Sequence, residues 1–244
     1  LDILVSYNTI MRASMKKIKY NLNTAAFTMI ELVFVIVAIG ILAAVIIPNT
    51  KTNPLEEASI QLLSDIRYTQ HLAIVNDTYN AGDANWYKKR WQLVFSSGIY
   101  TGGTEAYTIF SDTAGGSTGD AQESEIAINP QNSAQIMTGG YGNAQAIDFT
   151  HSNFKGMKKL NIGYSYGITD VTLSCGGARI AFDYLGRPLS GDHSSMTGPY
   201  SAGTQRLLTQ NCLITLTDGV NNAYLTIAPE TGYTCISDAL SICQ

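Results

Sequence analysis

Phe27-Thr28-Met29-Ile30-Glu31-Leu32-Val33-Phe34-Val35-Ile36-Val37-Ala38-Ile39-Gly40-Ile41-Leu42-Ala43-Ala44-Val45-Ile46-Ile47-Pro48 is the stretch from which the rest of the chain is read. From Leu32 to Ile47 it has no charge, and Gly40 is its one strong helix breaker. A run of this length predicts a membrane-spanning helix, since roughly 20 apolar residues at about 1.5 Å each cross a ~30 Å hydrocarbon core. Glu31 is the anomaly. An unpaired acid in lipid costs at least ~2.5–3.5 kcal/mol on insertion scales. At the start of a helix, however, a carboxylate sits at the positive end of the helix dipole. A secretory signal cut after Ile41-Leu42-Ala43-Ala44 is a rival reading, but signal h-regions rarely open on an acid and this run continues to a proline. A plain signal anchor fits the hydropathy and leaves Glu31 without a role.

Upstream, Met15-Lys16-Lys17-Ile18-Lys19 reads as a short basic leader, and Leu1–Ser14 as sequence ahead of the true start. The positive-inside rule then keeps residues 1–26 in the cytoplasm and places the bulk of the chain outside it. From Phe27 onward there are 11 Lys and Arg against 18 Asp and Glu, a side-chain net of −7. That disfavours a generally basic nucleic-acid binder. The 22 Gly and 14 Tyr suit a turn-rich β domain.

After Pro48, which is expected to kink or stop the first helix together with a kink at Gly40, Asn53-Pro54-Leu55-Glu56 reads as a new helix start. Leu55, Ala58, Leu62, Ile66 and Ala73 recur at helical spacing, with Glu57, Gln61, Ser64, Asp65 and His71 assigned to the opposite face. The linker and amphipathic helix occupy 49–78, and a β-rich domain occupies 79–244. Trp91–Phe95 and Tyr107–Phe110 read as paired strands, the first with one more apolar face. Val171–Ser174, Arg179–Tyr184, Cys212–Thr217 and Ala223–Ala228 read as further strands, the last two joined by a turn at Asp218-Gly219-Val220-Asn221. Asn129–Gly167 is weakly patterned. It reads as a variable insertion and as the carrier of partner specificity. Lys88-Lys89-Arg90 reads as a solvated basic turn.

Ala25-Ala26-Phe27-Thr28-Met29-Ile30-Glu31-Leu32 resembles the processing site of type IV prepilins and type II secretion pseudopilins. Gly40 and Pro48 fall where that family usually has Gly and Pro, while Ala26 stands where most members have Gly. The resemblance implies peptidase cleavage between Ala26 and Phe27, N-methylation of Phe27, and an assembly role for Glu31, paired in the fibre with the Phe27 amine of a neighbour. Leu55–Asn76 followed by Trp91–Phe95 is similar to the minor pseudopilin and minor pilin subgroup. So, more weakly, are the late turns Phe182–Pro188 and Pro229–Tyr233. The implied fold is α+β and pilin-like: a long N-terminal helix, its first half in the membrane, packed on a C-terminal antiparallel β-sheet. The implied protein is a single-pass inner-membrane subunit whose outer domain lies in the periplasm or an extracellular fibre. Its implied partners are other pilin or pseudopilin subunits, a prepilin peptidase, an inner-membrane assembly platform and membrane lipid. Two alternatives are a DNA-uptake minor pilin, using Lys88, Lys89 and Arg90 or Lys155, Lys158 and Lys159, and an anchored or secreted binding domain with no assembly role.

No catalytic constellation, cofactor motif or metal-ligand spacing is legible. His71, His151 and His193 lie in unrelated contexts, Asp192-His193-Ser194 is too local to form a triad, and Asp112 and Asp120 lack calcium-loop spacing. Cys175, Cys212, Cys235 and Cys243 are even in number and fall in the last third. They allow three connectivities. Cys175–Cys212, leading into strands, and Cys235–Cys243, stapling the tail, are the favoured pairs. Each disulfide is expected to contribute about 2–4 kcal/mol. Reduction should therefore lower the denaturant midpoint without releasing metal, and stoichiometric zinc in the purified protein would refute the disulfide reading.

Overall fold

The structure, a computed structural model, describes residues 28–46, 53–113, 118–142, 147–200 and 206–243, without the side chains of 43–46. The chain divides into two compact units, Leu1–Lys51 and Thr52–Gln244. Helix α1, Met29–Ile46, is the described element of the first. The second is an α+β domain with two four-stranded antiparallel sheets rather than the single sheet expected.

Helix α2, Pro54–Val75, starts where the sequence places it, with Asn53 at the N-cap and Pro54 at the first position. The Asn53 side chain makes no capping bond; its carbonyl accepts the Glu57 N–H at 3.0 Å. The predicted stripe Leu55, Ala58, Leu62, Ile66 and Ala73 is buried, but the buried face is wider than that stripe and includes Ser59, Asp65 and Thr69. Ser59 and Thr69 satisfy their hydroxyls on the carbonyls four residues back, at 2.8 and 2.7 Å. Asp65, expected on the solvent side, is 5% exposed. Its Oδ2 accepts the Tyr107 hydroxyl at 2.6 Å and the Gln61 amide at 2.9 Å. Burial raises its pKa, and the bonds from Tyr107 and Gln61 pull it back. Burying a carboxylate is tolerable only with such partners.

The first sheet runs β2 (Ala106–Ser111), β1 (Trp91–Ser96), β4 (Arg179–Phe182), β5 (Pro188–Ser190). The predicted pairing of the first two strands is present, with Leu93 opposite Ile109 and Phe95 opposite Tyr107. Side chains alternate across a strand. Leu93, Phe95, Tyr107, Ile109, Ile180 and Phe182 join the core under α2. Val94 and Phe110 point the other way, into a second small core with Ala121, Ile126, Tyr141 and Ile147. The sheet is therefore covered on both faces, and the chain beyond β2 supplies the second cover. It also shields the β2 edge: the Gly139 N–H donates to the Tyr107 carbonyl, and Ala127 and Met137 pair with Ile109. Within the insertion lies one short helix, α3, Ile162–Tyr166, among the described residues.

The second sheet runs β3 (Asp170–Leu173), β6 (Cys212–Thr217), β7 (Asn222–Ile227), β8 (Thr234–Ser237). Cys212, Ile214 and Leu216 face inward from β6, and Leu225 and Ile227 from β7. Strands β5 and β8 are additions to the sequence reading, which treated both neighbourhoods as turns. The two late turns meet on α2. The Gln70 side-chain amide donates to the carbonyls of Gly186 and Thr231, each at 2.9 Å. Gly232, at φ 64°, lies so near that a Cβ would meet the Gly186 carbonyl oxygen, so only glycine fits. Buried Asp183 organises the first turn, accepting the Leu185 and Arg187 N–H groups, the Arg187 guanidinium and the Tyr200 hydroxyl.

Both expected disulfides are present, Cys175–Cys212 across 37 residues and Cys235–Cys243 across 8. The longer loop removes more freedom from the unfolded chain, so the first bridge should stabilise more.

Tyr107→Phe deletes the shortest bond to the buried Asp65 carboxylate. It is expected to cost about 1–3 kcal/mol in urea unfolding at neutral pH. The loss should shrink in acid, where Asp65 is protonated and the bond is no longer charge-assisted.

Candidate assembly site

The N-terminal turn of α1 is built by Thr28 and Glu31. The Thr28 carbonyl accepts the Glu31 and Leu32 N–H groups at 3.1 and 3.2 Å, and the Thr28 hydroxyl accepts the Glu31 N–H at 3.3 Å. Thr28-Met29-Ile30-Glu31 thus has capping-box spacing, with the threonine half formed. The signal for the Thr28 cap is local, a threonine three residues before the acid. Glu31 sits in the first turn, where the helix dipole favours a negative charge.

Every side chain from Met29 to Leu42 is exposed, so α1 has no buried stripe within its own unit. It runs through Gly40 without interruption, and a Cβ at Gly40 would meet nothing within 4 Å. Its 18 residues correspond to about 27 Å of rise. Among the described residues no helix is long and apolar enough to cross a membrane. The ends of the predicted span, including the cleavage pair Ala26 and Phe27 and the proposed stop at Pro48, lie outside the described residues.

The two basic candidates fare differently. Lys88-Lys89-Arg90 is not a solvated basic turn. Lys89 pairs with Asp83 at 2.5 Å, and Arg90 is 3% exposed. The Arg90 guanidinium lies over the Tyr200 and Trp86 rings, at 4.9 and 5.7 Å from their centroids, and donates to the Pro199 carbonyl at 3.3 Å. Burial lowers its pKa, offset by Tyr200 and Asp183. It is a structural cation held between aromatics. In the second candidate, Lys155 pairs with Glu123 at 2.8 Å while Lys158 and Lys159 are exposed.

His71 and His151 are exposed, and His193 is buried. Neither ring nitrogen of His193 has a hydrogen-bond partner. Burial first, then the positive charges of Arg90, Arg179 and Arg206, push its pKa down to about 3. In Asp192-His193-Ser194 the Asp192 carboxylate accepts the Ser194 N–H at 2.9 Å, a local turn and not a relay. Asp112 is buried, its Oδ2 accepting the Gly119 N–H at 2.6 Å, and desolvation raises its pKa to about 6. Asp120 instead accepts the Tyr141 hydroxyl at 3.1 Å. Among the described residues no three His, Cys, Asp or Glu side chains are grouped to hold a metal.

No protein-family model, no curated protein and no solved structure matches the chain.

His193 and Asp112 pull stability in opposite directions with pH. The unfolded imidazole protonates near 6.5 and the buried one near about 3, so the native state weakens as pH falls through that window. The Asp112 carboxyl ionises near 3.8 unfolded and about 6 folded, so its contribution is present in acid and lost as pH rises through about 6. His193→Phe should move the acid midpoint of unfolding downward. Asp112→Asn should raise stability at pH 7 relative to pH 4. Denaturant titrations across pH check both, and unchanged profiles would remove these groups as the cause.

Proposed function

We propose that the protein is a membrane-anchored structural subunit of a type II secretion pseudopilus or a type IV pilus, with no catalytic role. The observation that carries this reading is one acid, Glu31, in the first turn of an otherwise apolar helix whose described side chains are all exposed. A helix apolar on every side requires either lipid or other helices around it. The resemblance of Ala26–Pro48 to prepilin processing sites supports the same reading. So does a disulfide-bearing domain, since disulfides persist outside the cytoplasm.

In this reading the apolar helix holds the precursor in the inner membrane. After cleavage between Ala26 and Phe27 it bundles with the same helix of other subunits. Glu31 then pairs with the methylated Phe27 amine of a neighbour, which neutralises both charges away from water and sets the axial register. Thr28 holds the first turn in shape. The energy for extraction comes from a separate cytoplasmic motor, because the chain has no P-loop motif. Burial of Arg90 and pairing of Lys89 remove one of the two basic patches that a DNA-binding role would use.

The N-terminal residue and intact mass of protein recovered from its native membrane test this. A chain beginning at methylated Phe27 is expected. A chain beginning after Ala44 would make it a secreted domain, and an uncut chain a simple anchor. Glu31→Ala should insert normally and fail to assemble; fibres at wild-type level from that variant would refute the register role.

A further inference from the structure

A groove of about 590 Å³ lies in the insertion, between the loop Asn129–Gln135 and the turn Lys158–Leu160. Its size is that of an ordinary ligand cleft. Its lining includes Asn129, Asn132, Gln135, Phe154, Lys158 and Lys159.

The hydrogen bonds of the loop determine which amide atoms remain available. The Gln131 N–H donates to Asn129 Oδ1 at 2.9 Å, and the Ala134 N–H donates to Asn132 Oδ1 at 3.1 Å. Backbone donors can only meet amide oxygens, so both carboxamides are oriented by the network. Asn129 Nδ2 then donates to Gln135 Oε1 at 3.2 Å, which orients the third. Three side-chain oxygens are thereby spent on the loop itself. The N–H₂ groups of Asn132 and Gln135 have no acceptor among the described residues.

In the same lining, Lys158 and Lys159 are exposed and have no ion-pair partner among the described residues, whereas Lys155 is taken by Glu123. Their turn is held in place, since the Lys158 carbonyl accepts the Ser165 hydroxyl at 2.7 Å and the Asn161 N–H at 3.1 Å. The Phe154 ring packs edge-on against Phe149, at 5.4 Å between centroids. From residue 126 to 167 the one acid is Asp148, in a chain that is otherwise acidic.

We propose that this groove binds an acidic peptide segment of a partner protein. The walls present hydrogen-bond donors and cations. An ionised carboxylate is acceptor-only and matches them. A single-stranded nucleic acid would want a series of aromatic stacking platforms, and the groove offers one ring. Because both lysines are exposed, binding is salt-sensitive. The proposal does not depend on how α1 assembles.

Fluorescence anisotropy with a labelled oligoglutamate peptide, on the full chain in non-ionic detergent at low salt, tests it. Oligoglutamate should bind and oligoglutamine should not. K158Q/K159Q should weaken binding about tenfold, and Lys88→Gln should leave it unchanged. Asn132→Asp keeps the acceptor that the Ala134 N–H needs while replacing the outward donor by a carboxylate oxygen, so it should weaken binding with the fold intact. No binding of oligoglutamate, or binding unmoved in both K158Q/K159Q and Asn132→Asp, would overturn the proposal. Tighter binding of oligothymidylate than of oligoglutamate would also overturn it and make the groove a nucleic-acid site.

Discussion

The second unit depends on one constraint: α2 must bury a single face against two sheets at once. The buried face takes in Leu55, Ala58, Leu62, Ile66 and Ala73 and, with them, Ser59, Asp65 and Thr69. Each of these polar groups is therefore satisfied internally, two by the helix's own carbonyls and one by Tyr107 on the opposing sheet. A helix held this way has little freedom to rotate, because any turn would part the Asp65 carboxylate from the Tyr107 hydroxyl.

The same arithmetic of faces explains the insertion. Strand β1 carries Leu93 and Phe95 toward α2 and Val94 away from it, while β2 carries Ile109 toward it and Phe110 away. The far face is apolar enough to need a cover, and Ile126, Tyr141 and Ile147 provide it. These residues are spaced for reach and not for helix or strand periodicity. The loop rim beyond that cover carries oriented amides and, in Lys158 and Lys159, two exposed lysines without an ion-pair partner among the described residues.

The two units meet different demands. In the second unit the large side chains of the core are enclosed by protein. In α1 the side chains from Met29 to Leu42 are exposed, and the Thr28–Glu31 turn supplies a polar device at its start. The apolar effect that closes the domain is thus left open along α1, for lipid or for other helices to close. A disulfide staples each end of the second sheet, one where β3 leads toward β6 and one where β8 meets the C-terminal tail.

What the sequence determined by itself was local. The start of α2 at Asn53-Pro54 and the turn at Asp218–Asn221 followed from neighbouring residues, while the disulfide pairs were favoured among three possibilities and the structure selected them. Near-neighbour sterics and short-range hydrogen bonds decide helix starts and turns, and they act before any tertiary contact forms. Only the tertiary structure decided which polar residues are interior. Asp65 and Arg90 read as surface groups, and what buries them lies in distant segments: Tyr107 over Asp65, Tyr200 over Arg90. It also split the strands into two sheets and joined the two late turns through Gln70. The short strands β5 and β8 were legible only afterwards, because three or four residues carry too little periodicity to distinguish a strand from the turn beside it. Burial belongs to the whole chain, and no single stretch of sequence contains it.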